Sequence, residues 1–438
     1  MAGIGFELRK LTSDNSFLNL LRANLYSSIL SSGSWVISIS VLVAIFLYLN
    51  YHLGPTLFCI QFLVSVSYLV SSSLILSAIF QHCVNRYIAD RLFEKQENMV
   101  APALFSSSLL LLILSIVVGW ICVEILLYDQ LLIIKLLMTG SFVALNLVWL
   151  FSNSLTGLKN YKFLVFSFAG SYLLIFILAV NLYQYELIGL LFAFYLGHML
   201  LLTLFFIFTI RNYPCERLFR WEIIDFMKDH KALLFSVVFF QLGVWVDKYC
   251  FWIANDTSIP ILGSLRASPI YDMPMFVAFV VMIPGLSVFF YEIEANFSRF
   301  YHRYFDAIRA GATLFEIDKK HTEVVALART CFLNVFKIQG MIALFACLFG
   351  PEIFKALDLA PVFVYLFRID VISIWMLAFL ISQLNVLYYL DKQNDACITM
   401  AILFVGSLLF NIITLYLGPL FYGYGFAAGL ICANVYAV

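Results

Sequence analysis

Residues 102–127 read PALFSSSLLLLILSIVVGWICVEILL, and Glu124 is the only charged side chain in this run. A helix of about 20 predominantly apolar residues crosses the hydrocarbon core of a bilayer, so the run predicts a membrane-spanning helix. Similar runs recur along the chain, of whose 438 residues 63% are hydrophobic and 12% are charged. A soluble domain has roughly 25% charged residues. The composition therefore predicts that lipid, not water, surrounds the fold.

Charged or turn-forming residues separate twelve such runs and predict an all-α protein with about twelve transmembrane helices. Their approximate bounds are 23–49, 55–84, 102–127, 131–157, 163–183, 187–210, 232–254, 270–294, 331–350, 362–390, 394–418 and 420–438. The last run reaches Val438 without a flanking basic cluster, so its full length stays open. The opening ten residues lack the short apolar core and cleavage site of a removable signal peptide.

The distribution of Lys and Arg predicts the orientation of the helices. Short cytoplasmic loops retain positive charge during insertion. Basic residues concentrate before the first run and in the connections after the second, fourth, sixth, eighth and tenth runs, whereas the opposite set of connections contains only Arg266 and Lys355. We therefore expect both termini in the cytoplasm.

Two long connections, 211–231 and 295–330, predict the domain organisation. The first separates an N-terminal six-helix bundle, 1–210, from a C-terminal one, 232–438, which contains the cytoplasmic loop 295–330. The second and eighth runs both continue into charged, aromatic-rich stretches, a correspondence that a six-plus-six carrier with a central cleft would produce.

Several function classes are disfavoured by what the sequence lacks. The formal net charge is zero, so no basic field would draw nucleic acid to the surface. The nine cysteines show no C-x-x-C pair or His/Cys ligand spacing, so we expect no metal site and no disulfide framework. No phosphate-binding loop, nucleophile elbow, HExxH helix or dinucleotide fingerprint occurs in a usable context. We expect a carrier without a cofactor rather than an enzyme.

The seventh run contains the strongest candidates for a substrate path. Its candidate residues recur at helical spacing and form one stripe: Gln241, Trp245, Lys248 and Trp252. Aromatic faces stack on sugar rings, and amide or ammonium groups bind hydroxyls, so the stripe suits a carbohydrate. The alternative is an interfacial aromatic belt with a Lys–Asp pair that joins two helices.

Charged residues deep in the bilayer cost at least about 2.5 kcal/mol each and usually face a cavity or a partner. Asp247 and Lys248 lie roughly 20 Å from the start of the seventh run. Because adjacent residues of a helix point about 100° apart, we expect these two side chains to face different ways. Asp247 and Asp272 are candidate charge partners of Lys248, or sites for a coupling proton or sodium ion.

Hydroxyl groups could extend the path in the first two runs, where the candidates are Ser31, Ser34 and Ser72. Close helix packing is the alternative role of such small residues. At the predicted cytoplasmic ends, the candidates for a gate or a docking surface are Arg86, Arg91, Glu292 and Glu294. Interfacial helices and snorkelled helix ends are the alternatives there.

Several stretches resemble the PelG family, the multi-spanning inner-membrane component of bacterial Pel exopolysaccharide systems. They include MAGIGFELRK at 1–10, RYIADR at 86–91, GVWVDK at 243–248 with Trp252, and SPIYD at 268–272. The family is similar to the multidrug/oligosaccharidyl-lipid/polysaccharide exporter superfamily. This resemblance implies two six-helix bundles around a central cleft, with alternating access.

The same resemblance implies three protein partners: a cytoplasmic UDP-sugar glycosyltransferase, a cyclic-di-GMP-sensing membrane protein and a tetratricopeptide-containing membrane protein. We therefore expect export of a nascent, N-acetylhexosamine-rich polysaccharide across the bacterial inner membrane. An ion-coupled flippase of a lipid-linked oligosaccharide or small solute, or a non-transporting scaffold for the synthase, are the alternatives. Replacing Lys248 with Met is expected to reduce export at unchanged protein abundance.

Overall fold

The computed structural model describes residues 17–158, 160–215 and 217–437, and nearly all of this chain is helical. Lipid offers backbone groups no hydrogen bonds, so spanning segments must satisfy them internally, as a helix does. In the first half, the helices are α1 (Phe17–Leu53), α2 (Leu57–Phe93), α3 (Val100–Leu126), α4 (Leu132–Gly157), α5 (Tyr161–Leu182), α6 (Glu186–Asn212) and α7 (Glu222–Asp229).

The second half begins with α8 (Lys231–Ile253) and a hairpin of β1 (Ile259–Leu262) and β2 (Leu265–Ala267). The remaining helices are α9 (Pro269–Val281), α10 (Ile283–Tyr291), α11 (Ser298–Arg309), α12 (Leu314–Leu348), α13 (Gly350–Ala356), α14 (Phe363–Tyr389), α15 (Gln393–Leu417) and α16 (Tyr424–Ala437). A π-helical turn, Glu292–Phe297, joins α10 to α11.

The predicted number of spans is confirmed. The described chain has eleven helical segments long and apolar enough to cross a membrane. One of them, Tyr161–Asn212, contains two predicted spans, because a short 3-10 turn at Tyr183–Tyr185 separates α5 from α6. The cytoplasmic placement of both termini stays a prediction.

Two compact units account for the packing. The N unit is Ser34–Ser268, and the C unit comprises the described residues before Ser34 together with those from Pro269 onward. The division of the chain into two six-helix bundles, 1–210 and 232–438, stays a prediction. The compact units have other bounds, since α8, which was expected to open the C-terminal bundle, belongs to the N unit and packs against α2.

In the N unit, α2 packs against α3, α4, α6 and α8, and the buried core forms along these contacts. The antiparallel β1–β2 hairpin attaches to one end of this unit. Gln61 Nε2 donates to the Ile261 carbonyl at 3.2 Å, and Ser264 N donates to the Leu126 carbonyl at 2.8 Å. Leu262 and Leu265 of the hairpin are buried in the same core, so the hairpin is a fixed part of the unit.

In the C unit, α14 packs against α9, α12 and α16. A turn at Met282 interrupts the helix between α9 and α10, and Pro284 lies in the first turn of α10. Gln339 Nε2 of α12 donates to the Val281 carbonyl at this turn, at 3.1 Å. Such a side-chain bond satisfies a carbonyl that an interrupted helix leaves without its usual partner.

Helix α12 is longer than a membrane requires. Its 35 residues span about 52 Å, whereas the hydrocarbon core is about 30 Å thick. The first turns of α12 pack against the amphipathic α11 through a small cluster that includes Phe297, Tyr301, Val324 and Ala328. This helical pair, α11 with the start of α12, therefore extends beyond the hydrocarbon region.

Candidate functional site

The deepest charged residues of the N unit form an ion pair on α8. Lys248 Nζ donates to both carboxylate oxygens of Asp247, at 3.1 and 3.0 Å, and to the Val244 carbonyl at 2.9 Å. Asp247 is fully buried and Lys248 is 6% exposed. The expectation that these neighbours would face different ways is wrong for their charged ends, because the flexible lysine stem folds back along the helix. A salt bridge from Lys248 to Asp272, which lies half-buried in the first turn of α9, stays a prediction.

The other stripe residues differ in how accessible they are. Gln241 and Trp245 are half-buried, and the Lys248 ammonium lies 5.5 Å from the centre of the Trp245 ring, within the range of a cation–π contact. Trp252 is only 4% exposed. Its ring stacks on Tyr68 of α2, with 4.5 Å between ring centres and an interplanar angle of 27°. In this conformation Trp252 therefore joins α8 to α2 and offers no free ring face.

The hydroxyl groups of Ser71 and Tyr249 lie beside the stacked pair of Tyr68 and Trp252. We call these four residues the aromatic cluster. The Tyr249 hydroxyl lies 2.8 Å from Ser71 Oγ, and Tyr249 meets Trp252 edge to face at 5.2 Å. Tyr68 Oη donates to the Arg266 carbonyl of the hairpin at 3.0 Å. Sequence spacing places residues on one helix, but only packing shows that α2, α8 and the hairpin meet here.

Of the predicted serines, Ser72 has a side-chain bond within its own helix. Ser72 Oγ donates to the Tyr68 carbonyl one turn earlier. Ser34 is half-buried, and its carbonyl accepts from Ser38 Oγ at 2.8 Å. The side chain of Ser31 lies outside the described residues. These bonds fit the packing role, and the substrate-path role of the three serines stays a prediction.

A carboxylate held by neutral donors lies at the π-helical turn of the C unit. Glu292 Oε1 accepts from Asn334 Nδ2 at 2.8 Å, and Oε2 accepts from Asn296 Nδ2 at 2.7 Å. The Cys331 thiol is 3.7 Å from Oε2. Within the described chain, Glu292 forms no ion pair with Lys, Arg or His. A cation could bind such a carboxylate without breaking a salt bridge, and π turns are frequent at functional sites. Glu294 is half-buried on the same turn.

The two predicted gate arginines lie at the end of α2. Arg86 Nε is 3.3 Å from Asp90, and Arg91 Nη1 is 2.7 Å from Glu94. Ion pairs this exposed contribute about 0–1 kcal/mol. Tyr87, between them, is buried, and its hydroxyl donates to Glu222 of α7 at 3.0 Å. The helix end is therefore tied to the connection between the sequence halves, whereas a gating role of the arginines stays a prediction.

Two buried titratable residues were not singled out from the sequence. Asp370 of α14 is fully buried beside Gly423, where an added Cβ would lie 3.1 Å from its carboxylate. His198 of α6 is 1% exposed, and its ring nitrogens lie 2.8 Å from the Phe194 carbonyl and 3.2 Å from the Tyr172 hydroxyl. Their position inside apolar runs was an available signal, because polar groups in lipid need partners.

In residues 17–158, 160–215 and 217–437, no group of three or more His, Cys, Asp or Glu side chains could hold a metal ion. All nine cysteines are free thiols.

The fold defines the class of protein: the chain has the fold of transporters of the MOP superfamily. A MOP superfamily transporter from Pyrococcus furiosus, described as having a binding pocket of reverse polarity, aligns with a TM-score of 0.66 and 14% identity over 94% of this chain and 93% of that chain. An outward-facing multidrug resistance MATE family transporter of the MOP superfamily gives 0.64 and 14% over 94% and 93%. A MATE in complex with MaL6 gives 0.64 and 14% over 93% of each chain.

The family is narrower than the fold class. The model of the PelG family, an exopolysaccharide exporter (EPS-E), matches residues 1–438, and the chain belongs to this family. A comparison with curated proteins gave no match. Family and fold together describe a multi-pass membrane protein of the exopolysaccharide exporter type.

Proposed function

We propose that this protein exports a nascent Pel-type exopolysaccharide, rich in N-acetylhexosamine, across the bacterial inner membrane, and that it acts as a carrier and not as an enzyme. The observation that carries the proposal is the PelG family match over residues 1–438. The MOP-type fold supports the proposal, because solved proteins that share this fold are transporters.

The proposed substrate path follows α8. Gln241 and Trp245 are half-buried and therefore able to contact a sugar: an indole face stacks on the apolar face of a pyranose, and an amide bonds its hydroxyl or acetamido groups. Lys248 and Asp247 neutralise each other at 3.0 Å. A path that runs beside a buried pair without net charge suits a polymer of neutral N-acetylhexosamines, since no uncompensated charge faces the polymer.

The proposed partner that supplies the polymer is a cytoplasmic UDP-sugar glycosyltransferase. The helical pair of α11 and the start of α12 supports a docking role, because its tip exposes large apolar side chains, with Leu314 83% and Phe315 79% exposed. Acidic and basic residues follow them on α12, Glu316 and Asp318 and then Lys319 and Lys320, as at a polar rim around an apolar contact. A cyclic-di-GMP-sensing and a tetratricopeptide-containing membrane protein are the other partners we propose.

Reconstituted vesicles test this function. The chain is placed in the membrane, the glycosyltransferase and UDP-N-acetylhexosamine are added outside, and polymer protected inside the vesicles is measured. Export predicts protected polymer only when both proteins are present. If total polymer falls without the chain and none is ever protected, the chain is a scaffold for the synthase and the export proposal is wrong.

An ion-coupled flippase is the second candidate, and the Glu292 site favours it, since a carboxylate with neutral donors can exchange a proton or sodium ion. The same vesicles separate the two functions. A flippase would move a lipid-linked oligosaccharide in the absence of the glycosyltransferase, at a rate that depends on a proton or sodium gradient. Export of a growing polymer depends on ongoing synthesis.

A further inference from the structure

A shallow apolar groove of about 430 Å³ lies on the C unit, where α15 ends and α16 begins. Its volume falls in the range of about 300–1,000 Å³ that is common for small-molecule sites. The walls that matter here are Phe410, Ile413, Leu417 and Phe421. Ile413 and Leu417 are 50% and 57% exposed, so the groove opens on the surface of the helices and not into their core. An occupant of this groove must be apolar over most of its length.

The groove has one polar corner, at the start of α14. The Tyr365 hydroxyl donates to the Leu420 carbonyl at 3.1 Å and lies 3.4 Å from the Tyr424 hydroxyl. Tyrosine rings are typical of the depth at which lipid chains meet headgroups. The groove is therefore apolar along its walls and polar at one end, as the border between an acyl chain and a headgroup is.

Arg368 lies one helical turn from Tyr365 on α14, and both side chains are exposed. Residues three apart in a helix share a face. Arg368 is five residues from the first residue of α14, about 7.5 Å along the helix axis, so it lies near one end of this apolar span. The guanidinium cannot extend freely toward water, because its Nε donates to the Cys347 carbonyl of α12 at 3.1 Å.

Arg368 also differs in its charged neighbours from Lys135, another basic residue near a helix end. Lys135 of α4, likewise near a helix end, pairs with Glu124 at 2.7 Å. Over the part of the chain that the structure describes, no Asp or Glu pairs with Arg368. A guanidinium presents five N–H donors in a fork that matches a phosphate, and the bond to Cys347 uses one of them. The remaining donors and the full positive charge are available to an anion.

We propose that Arg368 and this groove form a binding site for an anionic phospholipid. The guanidinium binds the headgroup phosphate, the Tyr365 hydroxyl lies at the glycerol level, and one acyl chain occupies the groove beside Ile413. Basic positions at the membrane surface recognise anionic headgroups in this way. An unneutralised arginine lies one helical turn from Tyr365, which lines the apolar groove. This combination favours a lipid over a soluble phosphate, which would use only the arginine. The site is independent of the polymer that the protein carries.

Native mass spectrometry of the purified full chain tests the proposal. Protein in neutral detergent is titrated with phosphatidylglycerol or phosphatidylcholine, and bound lipids are counted. We expect wild type to retain phosphatidylglycerol preferentially, and Arg368→Gln to bind it about tenfold more weakly, equivalent to about 1.4 kcal/mol. Lys392→Gln, which removes one exposed positive charge just beyond the other end of α14, is the matched control and should bind as wild type does.

A second variant separates the headgroup from the chain. Ile413→Trp fills the groove without changing any charge, and we expect it to weaken phosphatidylglycerol binding while Arg368→Lys retains part of it. Equal retention of both lipids by wild type and Arg368→Gln would overturn the proposal. The proposal would also be overturned if Ile413→Trp bound phosphatidylglycerol as tightly as wild type does, or if glycerol phosphate bound as tightly as phosphatidylglycerol. Either result would mean that the groove holds no acyl chain.

Discussion

The buried pair of Asp247 and Lys248 gives the sharpest prediction. Both side chains are inside the N unit, with 3.0 Å between Lys248 Nζ and Asp247 Oδ2. Replacing Lys248 with Met removes the ammonium and leaves a fully buried carboxylate without it. Removal of one member of a buried pair destabilises a protein by about 3–5 kcal/mol. We therefore expect Lys248→Met to lower stability and abundance, contrary to the expectation from sequence that abundance would be unchanged.

A compensated variant separates stability from transport. Asp247→Asn combined with Lys248→Met removes both charges at nearly constant volume, and replacing a buried ion pair by neutral groups is often close to neutral in stability. We expect the double variant to recover most of the stability that Lys248→Met loses, a non-additivity typical of residues in contact. If the pair lines the polymer path, the folded double variant still exports less than wild type.

The assay has two readouts. Thermal unfolding of purified protein in detergent, followed by tryptophan fluorescence, measures stability, and vesicle-protected polymer per folded molecule measures export. Lys228→Met on α7, which removes an exposed lysine paired with Asp225, is the matched control and should change neither. If Lys248→Met is as stable as wild type, the Lys248 ammonium does not stabilise the buried Asp247 carboxylate. If the double variant exports normally, the pair is structural and the path lies elsewhere.

Three further predictions concern the packing and the π turn. Trp252→Ala should cost about 3–5 kcal/mol, whereas Trp252→Phe keeps a ring against Tyr68 and should cost less, as thermal unfolding will show. Gly429→Val should destabilise the α15–α16 contact, because an added Cβ would lie 2.5 Å from Ser407 Oγ. Gly170→Ala, where an added Cβ has no neighbour within 4 Å, should not destabilise the protein in the same measurement, since alanine favours a helix over glycine. Glu292→Gln should remove any dependence of vesicle transport on an ion gradient if this carboxylate is the coupling site, and an unchanged gradient dependence would exclude that role.

The helical spans could be predicted because each is a local property. Every apolar run of sufficient length must satisfy its own backbone in lipid, so the composition of 102–127 or 131–157 is enough to define a helix without knowledge of its neighbours. Family membership followed from short motifs such as the one at 243–248, and the match over residues 1–438 confirms it. The stripe on α8 was equally local, since helical spacing alone places Gln241 and Trp245 on one face.

Contacts between distant residues decided the rest, and no local pattern encodes them. Asn334 reaches Glu292 across 42 positions, and Trp252 stacks on Tyr68 from another helix. The assignment of α8 to the N unit follows from that packing and not from the order of the spans. The Asp247–Lys248 pair could not be predicted from helical spacing either. Helical spacing gives the direction in which a side chain leaves the backbone, but not the position of the ammonium at the end of a flexible lysine. The sequence alone determined which segments cross the membrane, since lipid imposes that demand on each segment separately. Which side chains meet depended on how the helices pack, and only the tertiary structure decided that.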